Sequence, residues 1–256
     1  MPPRDVQRWI ERLDRQALRT ASVRHPLYFR VGLDRAQRVL DVGCGNGAVT
    51  RDLAQLTAGE IVAVDHDADM VRAAQTTLEG LPNVSVKEAD AKRLPFPDAS
   101  FDLVVCHLLL MWVDGPVQAI AEMARVCRPG GTILAAMEPD YGGKMHWPEN
   151  PVVDQVFQGD MIRKKGGDPH AGRKLRAWFV EAGLEPEVGL SNPRVPSCAE
   201  DLASYEVERG FYRKALLQGG LTERQIDAWE REYVASLRSG EQFNFLPLFY
   251  ALAPKR

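Results

Sequence analysis

The sequence predicts an α/β fold: a mainly parallel sheet of seven strands, helices on both faces, and an antiparallel last strand. Three observations carry this. From Arg38 onward, short apolar runs alternate with segments of helical period. The first of these runs, RVLDV, leads straight into the glycine-rich turn Gly43–Gly47 and then into a helix. The closing stretch FNFLPLFYALA is apolar and aromatic enough for a strand, and with no crossover after it, it is expected to enter by a reversal.

Each element follows from its pattern. Val6, Trp9, Ile10, Leu13, Ala17 and Leu18 recur at helical spacing, which makes the first segment a helical arm. Strand RVLDV is followed by helix AVTRDLAQL, strand EIVAVD and a helix from about Asp67 to Glu79. NVSVK is the third strand. FDLVVCH is the fourth, with the unbroken apolar character of a strand buried on both faces. A helix over about 116–127 turns at RPGG into strand GTILAAME. Beyond it come a turn-rich loop, EPDYGGKMHWPENP, helices over about 151–164 and 170–182, and strand PEVGL. Residues 199–239 read as two helices separated by QGG. The implied organisation is an arm or cap over 1–37, a core over 38–198 resumed at 240–256, and a helical lid inserted at 199–239.

Composition narrows the function. The chain has 256 residues, 45% hydrophobic and 26% charged, with a net charge of −3. Such a balance gives no general reason to expect nucleic acid or an anionic membrane as partner. Residues 1–38 hold nine arginines against four acids, which is read as the solvated face of an amphipathic helix. No apolar run approaches the roughly 20 residues needed to span a bilayer. MPPRDVQRWIERLDRQ lacks the apolar centre of a signal peptide, so a cytoplasmic location is expected. Cys44, Cys106, Cys127 and Cys198 are scattered without a CxxC pair, and the five histidines show no HxH or HExxH spacing. Reduced thiols and no bound metal are the expectation.

The chemistry sits in Val39-Leu40-Asp41-Val42-Gly43-Cys44-Gly45-Asn46-Gly47. Glycines let the turn take positive φ and let a ligand lie against bare backbone, while the following helix offers unpaired N–H groups. Gly43, Gly45 and Ala48 also satisfy a dinucleotide fingerprint, with Asp65 placed 22 residues on as a ribose-binding acid. The loop and Asp65 therefore specify an adenosine with a charged tail, and two cofactors remain open. Asp41 weighs against a pyrophosphate, which its carboxylate would repel, and suits the cationic amino group of a methionine tail. Asp90-Ala91, after the third strand, offers a carboxylate and an N–H to an adenine edge.

Taken together, VLDVGCGNG, VAVDHDADMV, ADAKRLPFPDASFDLVVCH and RVCRPGGTILAAMEPD resemble the class I S-adenosylmethionine-dependent methyltransferases. The likeness is to their small-molecule, ubiquinone- and menaquinone-biosynthesis-like branch, over roughly residues 38–138. It implies a Rossmann-like core with S-adenosyl-L-methionine as cofactor. In that likeness Gly43, Cys44 and Gly45 pass over the methionine moiety and Asp41 lies near its amino group. Asp65 holds the ribose hydroxyls, His66 covers the adenine face, Asp90 and Ala91 meet the adenine edge, and His107 lines the pocket near the sulfonium.

No catalytic residue is fixed by this reading; the candidates are His107, Tyr141 and His146. Methyl transfer is an in-line displacement that needs alignment and exclusion of water, and needs a general base only for an acceptor that arrives protonated. Tyr28 and Phe29 are expected to close over the cofactor from the arm. No [DN]-P-P-[YFW] follows the fourth strand, so a small-molecule acceptor is expected, from a monomer or homodimer. The alternatives are a protein or RNA acceptor, or a partner subunit that binds S-adenosylmethionine or S-adenosylhomocysteine without transferring anything.

Overall fold

The computed structural model of the chain describes residues 3–150, 153, 154, 156 and 161–256. Helix α1 (Pro3–Arg30) leads into β1 (Arg38–Val42), α2 (Ala48–Leu56), β2 (Glu60–Asp65), α3 (Ala68–Thr77) and β3 (Val84–Glu88). The second half of the core is β4 (Phe101–Cys106), α4 (Pro116–Val126) and β5 (Cys127–Pro139). A short strand β6 (Met145–Trp147) follows, then α5 (Ala171–Glu181) and β7 (Glu187–Leu190). Two long helices, α6 (Cys198–Gln218) and α7 (Glu223–Ser239), precede β8 (Phe243–Phe245) and β9 (Leu248–Pro254).

Seven strands form one sheet in the order β3-β2-β1-β4-β5-β9-β7. The pairs among β1 to β5 are parallel, and β9 runs antiparallel to both β5 and β7. The expected α/β class and the reversed last strand are both present. From β1 the chain steps outward through β2 and β3, then returns to lay β4 on the other side. The turns leaving β1 and β4 therefore diverge, and a crevice opens at the carboxyl ends of these two neighbours.

Alternation along the strands divides the core. Leu40, Val42, Val104, Cys106 and Ile133 face Ile120 and Met123 of α4 and Leu175 and Phe179 of α5. Val39, Ile61, Leu103, Val105 and Leu134 face the other way, against Leu27 and Tyr28 of α1 and Leu53 of α2. Ala63 points to that second side too, meeting Ala74 of α3 and Leu78 just past its end. Each fully buried aliphatic side chain contributes about 1.5–3 kcal/mol.

Local signals set the helix ends. Asp67 caps α3 by accepting from the N–H groups of Asp69 and Met70. Ser197 with Glu200 and Thr222 with Gln225 form capping boxes at α6 and α7. Gly219 and Gly220 separate those two helices, as the QGG punctuation predicts.

Two expectations need correction. FNFLPLFYALA is two strands, because Pro247 has no N–H to give a ladder. Its first half, β8, leaves the sheet and pairs antiparallel with β6 in a separate ribbon, matching His146 with Asn244. The loop after the fifth strand thus carries a strand the sequence did not announce. Of the helix expected over about 151–164, most of the part before residue 161 lies outside the described residues; Met161–Lys164 is helical.

Phe179 is fully buried where α5 meets the sheet. Replacing it with alanine is expected to cost about 3–5 kcal/mol, read as a lower urea midpoint with an unchanged m-value.

Candidate functional site

The glycine turn is built from backbone outward. Gly43, Gly45 and Gly47 all have positive φ (75°, 55° and 81°), which only glycine adopts without strain. The N–H groups of Gly43 and Cys44 both donate to the Val64 carbonyl, at 2.8 and 2.9 Å. Asp65, at the end of β2, clamps the turn: its Oδ2 accepts the Gly45 N–H at 2.8 Å and its Oδ1 accepts the Asp67 N–H at 3.0 Å. At Gly43 an added Cβ would lie 2.5 Å from a methyl of Leu109, and at Gly45 it would lie 3.2 Å from one of Leu13. Both glycines are bare backbone facing flexible side chains.

Asp41 points away from α4 and toward α2, where its Oδ2 accepts from Thr50 Oγ1 at 2.7 Å. Burial pushes its carboxyl up to about 6; the Thr50 bond opposes that shift and the Asp65 charge adds to it. Cys44 is buried, and desolvation holds its thiol well above its ordinary range, so it is protonated and inert.

The β1–β4 register pairs Val42 with Cys106, so Gly43 and His107 leave the sheet side by side. His107 Nε2 lies 3.3 Å from Met137 Sδ. Burial, helped by the Arg24 charge, pushes its imidazole down to about 3. A ring so reluctant to take a proton is a poor general base at neutral pH.

The loop beyond His107 is held by a residue the sequence reading passed over. Glu138, fully buried at the end of β5, accepts three successive N–H groups, from Leu109 (2.9 Å), Leu110 (2.8 Å) and Met111 (3.1 Å). Burial raises its carboxyl to about 7 against the pull of those donors. Leu108, just before them, is left-handed at φ 53°, a conformation costing on the order of 1 kcal/mol that the clamp sustains. The available signal was an acid closing the apolar run ILAAM: a buried carboxylate has to find donors.

Helix α1 lies over this site. Asn46, in the glycine turn, donates to Asp14 Oδ1 at 2.9 Å and to the Ile10 carbonyl at 3.4 Å. Deeper in, the fully buried Arg24 donates to Asp52 Oδ2 at 2.6 Å, and His25 Nε2 meets Asp52 Oδ1 at 2.8 Å. Arg24 Nε and the Tyr28 hydroxyl are buried without a hydrogen-bond partner. The expected pair Tyr28 and Phe29 is split: Tyr28 is fully buried and Phe29 is 51% exposed. Both lie on α1, where consecutive side chains diverge by about 100°.

The remaining candidates scatter. His66 is 80% exposed beside Asp65. Asp90 is exposed and accepts the Lys92 N–H at 2.9 Å, while Ala91 is half-buried against the core. Tyr141 and His146 line a separate cavity of about 390 Å³ between α1, β6, β8, α6 and α7. His146 Nε2 lies 2.7 Å from Asp154 Oδ1 but off hydrogen-bond geometry, so the contact is an ion pair at most. Burial raises the Tyr141 phenol. Among the described residues no three His, Cys, Asp or Glu side chains gather as a metal site. No helix among them is long and apolar enough to cross a membrane.

Bare glycine backbone, two carboxylates and unpartnered buried polar atoms at one crevice fit a nucleoside cofactor with a cationic tail. This fold and site resemble those of the S-adenosylmethionine-dependent methyltransferases, whose cofactor is S-adenosyl-L-methionine. A family model described as a methyltransferase domain matches residues 40–135. Among relatives, an uncharacterized methyltransferase of Schizosaccharomyces pombe is 29% identical over 218 residues, covering 77% of this chain and 78% of that protein. The ubiquinone/menaquinone biosynthesis C-methyltransferase of Pseudomonas paraeruginosa is 40% identical over 108 residues, 40% of this chain and 42% of the relative. That alignment spans less than half of either protein. The crystal structure of the Bacillus subtilis YcgJ protein shares the fold, with a TM-score of 0.58 and 19% identity, covering 92% of this chain and 99% of that one.

Glu138 is neutral below about pH 7 when folded, and its ordinary value is 4.5. Its raised folded value means that its stabilising contribution is full below about 4.5 and is lost as pH rises through about 7. The urea-measured stability gap between the native chain and Glu138→Gln should therefore shrink from pH 5 to pH 7.5, by about 1–3 kcal/mol.

Proposed function

We propose that this chain transfers a methyl group from S-adenosyl-L-methionine to a small-molecule acceptor held in the cavity lined by Tyr141 and His146. The supporting observation is the cavity itself. At about 390 Å³ it falls within the about 300–1,000 Å³ typical of small-molecule sites. It also shares α1 with the glycine crevice: Leu13 faces Gly45, and the adjacent Arg12 lines the cavity.

In this reading Gly43 and Gly45 carry the methionine part of the cofactor, Asp41 its amino group, Asp65 the ribose, and Asp90 with Ala91 the adenine edge. When bound, the cofactor supplies a methyl group on a sulfonium, a good leaving group. The work left to the protein is alignment and dryness, and good alignment alone contributes about 7–11 kcal/mol. Glu138 fixes the Leu109–Met111 backbone beside the crevice. Helix α1 and the α6–α7 pair form the cap and lid that exclude water. His107 stays neutral and acts as pocket lining; the acceptor brings its own lone pair, and no histidine is needed to take a proton at neutral pH.

Three measurements test this. Asp65→Ala is expected to weaken S-adenosylmethionine binding by about 1.5–3 kcal/mol in titration calorimetry, since a clamp and charge-assisted hydrogen bonds are lost together; unchanged affinity would move the ribose site elsewhere. Asp41 titrates near 6 in the free protein, and a cationic group beside it favours the carboxylate. Binding near pH 6 should therefore release a proton, seen in buffers of different ionisation enthalpy, and affinity should fall as pH drops through 6. A radiolabelled-methyl assay across metabolite, protein and RNA fractions should label the metabolites; cofactor binding with no label transferred would leave a binding subunit.

A further inference from the structure

The most distinctive feature outside the cofactor crevice is a guanidinium clamped by rings. Arg12 Cζ lies 3.8 Å from the Phe211 ring centroid and 5.6 Å from that of Trp9. Lys165 Nζ lies 5.7 Å from the same Trp9 ring. Among the described residues Arg12 has no hydrogen bond or ion pair, so stacking holds its plane while its five-donor edge stays unused. Arginine on an aromatic platform with a free edge is arranged to take a carboxylate or phosphate through two parallel bonds.

The surrounding charge agrees. Burial, with the nearby positive charges of Arg12 and Lys214, holds the Lys165 ammonium below its usual range. Two cations thus share the Trp9 ring, a repulsion that an anion would relieve. Among the described residues the cavity wall also carries Lys144 and five acids, three of which have partners. Glu208 is already paired with Arg19 at 2.8 Å, Asp154 faces His146, and Asp201 accepts from Asn244 Nδ2 at 2.9 Å. Glu149 and Glu232 also line the cavity but are exposed to water. Behind Arg12 the wall turns aromatic, with Trp229 and Tyr233 stacked at 5.1 Å and 17°.

We infer that the cavity takes an anionic acceptor: a planar apolar body against the aromatic wall, with a carboxylate or phosphate monoester held by Arg12, beside which Lys165 shares the Trp9 ring. The inference rests on the methyl-transfer reading for the word acceptor, but the anion site can be tested without catalysis. Phenyl phosphate and benzoate, with benzyl alcohol and benzylamine as neutral and cationic controls, would be titrated into the full chain by calorimetry, with and without S-adenosylhomocysteine. The two anions should bind and the controls should not; the tighter of the two identifies the anion. Arg12→Gln should weaken anion binding by about tenfold or more, and Lys165→Gln by a smaller factor. Arg12→Lys, which keeps charge without the planar fork, should fall between, and thermal midpoints would confirm folding. Binding of benzylamine or benzyl alcohol as tight as the anions, or an Arg12→Gln affinity within about twofold of the native chain, would overturn the inference. Failure of S-adenosylhomocysteine to bind while phenyl phosphate still does would instead sink the methyl-transfer reading alone.

Discussion

A buried carboxylate with three backbone donors organises the carboxyl edge of this sheet. Burying a charge costs several kcal/mol. Glu138 recovers a comparable amount from three N–H groups, at about 1.5–3 kcal/mol for each bond to a charged group. The near balance explains why burial leaves it titrating near 7 rather than failing to ionise at all. Asp65 does the same for the opposite wall by holding Gly45. The two loops that diverge at the topological switch point are each fixed by an acid on a neighbouring strand. Beyond the glycines the turn itself requires, each loop is held in shape by an acid outside it.

Helix α1 is the second constraint. It is tied to α2 by Arg24 and His25 on Asp52, and tied to the glycine turn by Asp14 on Asn46. The deep contact is the expensive one: Arg24 is fully buried, and its loss would strand Asp52 half-paired. The outer contact is half-buried and cheap to break. A helix anchored at one end and lightly held at the other is suited to cover a site that ligands must enter, which is the role proposed for the arm.

The sequence revealed what repeats locally and hid what is brought together from afar. Seven strands, a mainly parallel sheet and the glycine turn were legible because period, turn residues and helix starts are read within about ten residues of each other. The capping boxes at Ser197 and Thr222 are local signals as well, but the sequence reading did not single them out. The β6–β8 ribbon was not, because it joins Met145–Trp147 to residues about a hundred positions later, and a three-residue strand has no period to detect. Glu138 was visible as a residue but not as a clamp, since its donors lie in another loop. Tyr28 and Phe29 looked alike until the helix was seen to run on to Arg30. His146 was singled out for its loop, and its neighbours show a cavity wall rather than the crevice that holds His107.

The arrangement of charge gives the two compartments different chemistry. Around the glycine turn the unneutralised groups are acids, Asp41 and Asp65, with His107 kept neutral. One helical step from Leu13, at Arg12, the sign reverses, and two cations share the Trp9 ring. A sulfonium donor carries positive charge that disperses as the methyl leaves, so acids near its tail hold the ground state without being asked to follow the reaction. An anionic anchor on the acceptor would sit outside that field, held by the opposite sign. The acids stand on β1 and β2 and Arg12 on the helix that covers them, so the alignment of the two reactants depends on how firmly α1 is seated on the sheet.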